Sequence, residues 1–96
     1  MKIKEGSCTW RLLDFIRGFV EGEISFWEFD NFYDGNVIEY FPKMRREHRA
    51  FAETFADLVD SAVDYARDYK LSEDDYRQLI TERYEILVGK RPVDIL

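Results

Sequence analysis

Cysteine occurs once in this 96-residue chain, at Cys8, which excludes an internal disulfide and fits a reducing compartment. Cys8 itself reads as an inert small residue. Histidine also occurs once, at His48, which excludes a histidine metal cluster and weakens any catalytic triad. Its neighbours Arg45, Arg46 and Arg49 mark an exposed basic helix face rather than a catalytic centre. Two prolines and five glycines disfavour a loop-rich fold and favour long regular elements. No stretch approaches the roughly 20 apolar residues that span a bilayer. Met1 to Gly6 lacks the apolar core of a secretory signal, so the expected location is cytoplasmic. There is no Gly-rich phosphate loop and no Glu-x-x-His repeat of a carboxylate metal bundle. Acids are plentiful, but nothing in the pattern sets a buried carboxylate beside an exposed one, as acid–base chemistry requires. The expectation is therefore a non-enzyme with no cofactor and no metal.

What the chain does contain is apolar area. Hydrophobic residues make up 46%, with eight Phe, six Tyr and two Trp. Each aromatic covers a large surface, so a chain of this length can build a core. Periodicity is helical nearly throughout. Thr9 is a candidate N-cap for a first helix with Leu13, Ile16 and Val20 inward, Leu12 and Phe19 on a flank, and Arg11, Asp14, Gly18 and Glu21 opposite. Gly22 is placed to stop it. Ser25 and Glu28 form a capping box for a second helix, with Phe26, Phe29 and either Phe32 or Tyr33 inward. Gly35-Asn36 reads as a turn, the stretch 36–41 is ambiguous, and Pro42 suits a first helical position. A long third helix follows, with Phe51, Phe55, Leu58, Ala62, Tyr65 and Tyr69 alternating at spacings of four and three. Ser72 and Asp75 cap a fourth, whose inner side is Tyr76, Leu79, Ile80, Arg83, Tyr84 and Leu87. Gly89 and Pro92 end it, and an extended tail is expected from Val93 to Leu96. The fold class implied is all-α, an antiparallel four-helix bundle forming a single domain over residues 1–96. Its helices are expected at about 9–21, 26–34, 42–69 and 73–88.

Net charge is −6, which opposes direct binding to nucleic acid phosphates and favours a basic protein partner. Its distribution is uneven. Residues 14–39 carry seven acids and one base, residues 43–49 four bases and one acid, and residues 53–75 eight acids and two bases. At about 100° per residue, Glu53, Asp57, Asp60, Asp64 and Asp68 share a narrow sector of the third helix. Exposed helices usually mix signs, because like charges at three- and four-residue intervals cost a few tenths of a kcal/mol per pair. The plain alternative is a solvated face. A fixed acidic ridge would also steer a cationic partner and imitate the phosphate spacing of a nucleic acid.

Three segments, in order, resemble the colicin D immunity-like family. Residues 15–29 contain an apolar helix, then Gly22-Glu23-Ile24-Ser25, then Glu28-Phe29, similar to that family's opening. Residues 55–65 resemble its later "Phe…Val-Asp…Tyr" helix, and Leu71-Ser72-Glu73-Asp74-Asp75 its start of the last helix. Tyr76 stands where the family often has Leu, and the basic stretch before Phe51 has no counterpart in the pattern. The resemblance implies a bacterial immunity protein that covers a bacteriocin or related toxin nuclease, often a tRNase. Its acidic residues would replace RNA phosphates. By position the partner-binding residues would be Asp57, Asp60, Asp64, Asp68, Glu73, Asp74 and Asp75, with Tyr65 and Tyr69 as aromatic anchors. The alternative is a small helical regulatory adaptor with no toxin partner.

Overall fold

Ser7, not Thr9, opens the first helix: its hydroxyl accepts the N–H of Trp10 at 3.2 Å. In this computed structural model, which describes residues 2–90, every regular element among the described residues is helical. Helix α1 spans Cys8–Val20, α2 Phe26–Glu47, α3 Arg49–Phe55, α4 Ser61–Asp68 and α5 Glu73–Leu87. A single π-helical turn, Ala56–Asp60, joins α3 to α4 without a break. The expected tail from Val93 and the stop at Pro92 lie outside the described residues. The chain divides into two compact units, Met1–Glu53 and Thr54–Leu96, each with buried apolar residues of its own.

The first unit is a helical hairpin. Its connection follows from two glycines. Gly22 takes φ +80°, a left-handed conformation that other residues resist, and so turns the chain at the end of α1. Gly18 lies inside α1, where the sequence pattern put it on the polar face, yet it is buried. Its carbonyl accepts the N–H groups of Glu23 and Ile24 at 2.7 and 3.0 Å. A Cβ there would sit 2.7 Å from Ile24 Cδ1, so the returning chain needs a bare helix surface at that point. Arg17 holds the same connection from outside, pairing with Asp14 at 2.9 Å, Glu21 at 3.1 Å and Glu23 at 2.8 Å. That guanidinium holds the Glu23 carboxyl below the usual carboxylate range.

Leu12, Ile16 and Phe19 are fully buried on α1, while Val20 is only half-buried. The inward stripe is thus rotated from the expected Leu13–Ile16–Val20 line. Aromatic stacking sets that rotation. Phe29 of α2 lies 4.0 Å from Phe19 and 5.3 Å from Phe15 by ring centroids, both near parallel. Tyr33, rather than Phe32, continues the inner side of α2.

The far end is closed by Glu47, the last residue of α2. Its carboxylate accepts the N–H of Thr9 at 2.9 Å, the Thr9 hydroxyl at 2.5 Å and the N–H of Cys8 at 3.3 Å. These are among the N–H groups that no helix can satisfy for itself, and an anion suits the positive end of the helix dipole. The contact also shows that α2 runs back alongside α1 in the opposite direction. To reach Thr9, α2 must stay helical for 22 residues, about 33 Å. It therefore passes through Gly35-Asn36, expected as a turn, and through Pro42, expected as a helix start. Pro42 denies a donor to the carbonyl of Ile38. Both residues lie on the exposed side of α2, where water replaces that donor. The helix ends instead at His48, with φ −147°.

The second unit packs α4 and the π turn against α5. Phe55, Val59, Ala62, Val63 and Ala66 are buried, as are Tyr76, Ile80, Tyr84 and Leu87. Ser72 caps α5 by accepting the N–H of Asp75 at 3.2 Å, as the sequence suggests. Gly89 closes it with φ +79°.

Two outcomes test the hairpin. Glu47→Gln should lower stability at neutral pH by about 1 kcal/mol, the usual worth of a lost helix cap. The Thr9 hydroxyl holds the Glu47 carboxyl below the ordinary range. Its stabilisation is therefore present above the unfolded carboxylate range and disappears as pH falls through the lower folded value. Urea midpoints from pH 7 to pH 3 should converge for wild type and variant at the acid end. Gly18→Ala should fail to deliver the roughly 1 kcal/mol that alanine normally adds to a helix interior, because Ile24 must move. In an Ile24→Ala background the same substitution should stabilise, which thermal melts of the four variants would show.

Candidate partner-binding surface

The π turn decides which side chains the third stretch of helix exposes. Its hydrogen bonds reach one residue further back than in an α-helix, as in the N–H of Ser61 donating to the Ala56 carbonyl. The Ser61 hydroxyl also donates to the carbonyl of Asp57. A strict four–three seam from Phe55 would bury Leu58, Ala62, Tyr65 and Tyr69. One extra residue in the turn moves the inward side to Val59, Val63 and Ala66, with Ala62 still buried as the seam expects. Leu58 becomes half-buried. Tyr65 and Tyr69, expected in the seam, stand 51% and 69% exposed, with ring centroids 4.5 Å apart. The seam assignment of these two tyrosines is corrected accordingly, and they form an exposed aromatic pair.

The seven acids surround this pair in sequence. Asp57 lies in the π turn and is exposed; Asp60, its last residue, is half-buried. Asp64 and Asp68 are exposed on α4. Glu73, Asp74 and Asp75 are exposed in the first turn of α5. Helix electrostatics treats them differently. Acids in the first turn of α5 face the positive end of its dipole, each worth about 0.3–1 kcal/mol, so stability alone accounts for that trio. Asp68 is the last residue of α4, at the negative end, where the same effect opposes a carboxylate. Lys70 follows it in a left-handed conformation, φ +50°, as α4 ends.

Ser61, Ala62, Tyr65, Leu79 and Arg83 line an open cleft of about 490 Å³. Arg83, a polar residue on the inner side of α5, was its only sequence signal. The cleft presents an apolar floor, one guanidinium and an exposed tyrosine. Away from this unit, Trp27, Phe32 and Ile38 are exposed on α2, which periodicity alone did not separate from core. No family model, curated protein or solved structure matches the chain.

Because Tyr65 and Tyr69 are exposed and Phe55 is fully buried, their substitutions should behave oppositely. In urea unfolding, the double variant Tyr65→Ala/Tyr69→Ala should keep its unfolding free energy within about 0.5 kcal/mol of wild type, whereas Phe55→Ala should lose about 3–5 kcal/mol.

Proposed function

We propose that this chain is an immunity protein that binds and blocks a bacteriocin or related toxin nuclease through the acidic surface of residues 57–75. The observation that carries the reading is the exposed Tyr65–Tyr69 pair set among seven carboxylates, one of which, Asp68, stands where helix physics opposes it. Aromatic anchors with charged surroundings make an effective hot spot. Carboxylates at helical intervals suit a protein that normally grips phosphates. The resemblance of residues 15–29, 55–65 and 71–75 to colicin D immunity-like proteins supports the same reading. In this reading the fold class is an antiparallel four-helix bundle, the protein is cytoplasmic and not an enzyme, and its partner is a basic nuclease domain of the kind that cuts tRNA.

The cleft between α4 and α5 favours a second reading, a regulatory adaptor that takes an apolar side chain beside Arg83. Ionic strength separates the two. Association steered by the acidic surface slows steeply with salt, whereas seating of an apolar side chain does not.

Co-expression with a toxin-like nuclease domain encoded beside this chain tests the reading. Growth should be rescued with tRNA intact, and reversing Asp60 and Asp64 to lysine should abolish both rescue and complex formation. Asp68→Lys gives a sharper split. It should stabilise the isolated protein by about 0.3–1 kcal/mol, through the dipole, while weakening the complex. Unchanged toxin binding by these variants would remove the acidic surface from the function.

A further inference from the structure

The outer face of α2 has no use in the reading above, and it is unusual in being self-complementary. Trp27 is 64% and Ile38 75% exposed. Between them Gly35 leaves open space where a Cβ would be. At about 100° per residue these three lie on one side of the helix, opposite buried Phe29, Tyr33 and Met44. The charges along that side are segregated. Glu28 lies at the start of α2, Asp34 and Glu39 near its middle, and Arg45 and Arg46 at its end, all exposed. Arg45 lies about five turns beyond Trp27, and Arg46 about five turns beyond Glu28, so each pair points the same way. Turning the helix end over end therefore brings Arg45 onto Trp27 and Arg46 onto Glu28.

We propose that this face pairs with the same face of a second copy of the chain, antiparallel, about a two-fold axis between residues 36 and 37. Two-fold pairing makes each contact twice, once from each copy. Arg45 of one copy stacks on Trp27 of the other, a cation–π contact. Arg46 meets Glu28. Near the axis Ile38 lies beside the partner copy's Gly35, whose missing side chain allows the helices to approach closely. The segregated charge also fixes direction, because a parallel pairing would set acid on acid and base on base. Pro42 lies on the same face, where its missing N–H costs no contact with the second copy.

Sedimentation equilibrium of the full chain at about 100 μM tests this directly. The expected mass is twice 11.6 kDa in about 50 mM salt. Ile38→Arg, at an exposed position that leaves folding intact by circular dichroism, should weaken dimerisation by roughly tenfold or more. Glu28→Arg and Arg46→Glu should each weaken it, and the two together should restore it. A wild-type mass of 11.6 kDa at that concentration would overturn the proposal. So would a dimer indifferent to Ile38→Arg, or a charge exchange without rescue. None of these outcomes bears on toxin binding, so this inference and the proposed function stand or fall separately.

Discussion

The first unit depends on one carboxylate. Glu47 satisfies two N–H groups and a hydroxyl at the start of α1, groups that would otherwise be left without a partner near the fully buried Thr9. Thirty-eight residues separate Thr9 from Glu47, so the contact exists only if α2 returns the whole length of the hairpin. The uninterrupted α2, the inclusion of Pro42 and the break at His48 all accompany that requirement. Phe29 and Tyr33 at one end and Met44 at the other then fall on the buried side of a single helix.

The opposite end shows how little space such a hairpin leaves. Ile24 occupies the position of a missing side chain at Gly18, and Gly22 turns the chain through a conformation that other residues resist. The three acids around Arg17 hold that connection in place from the solvent side. Exposed ion pairs of this kind contribute little alone, but here one guanidinium bridges a helix to the loop that follows it.

In the second unit the corresponding device is the π turn. An extra residue in one turn changes which side chains face inward for the whole of α4. It removes Tyr65 and Tyr69 from the interior and presents them beside Asp64 and Asp68. π turns recur at functional sites because they displace side chains without ending a helix. The surface proposed for a partner owes its aromatic component to this turn.

Much of this was legible in the chain itself. All-helical structure, the caps at Ser25 and Ser72, the stop at Gly89 and the inward faces of Tyr76, Ile80, Tyr84 and Leu87 follow from residue spacing and local hydrogen bonding. Those are interactions between residues a few positions apart, and local sequence records them. The acidity of residues 57–75 is likewise a property of composition. Tertiary structure decided the rest. Ser7 displaced Thr9 as a cap because Glu47 claims Thr9. Gly35-Asn36 and Pro42 stayed helical because burial at Tyr33 and Met44 outweighs their local preference for turns. Gly18 moved to the inside because Ile24 needs its surface. The exposure of Tyr65 and Tyr69 rests on a single inserted residue that no periodicity of three and four reveals. Most short-range preferences are each worth about 1 kcal/mol or less, and about 3 kcal/mol for a proline inside a helix, and contacts between distant residues outweigh them here where the two conflict.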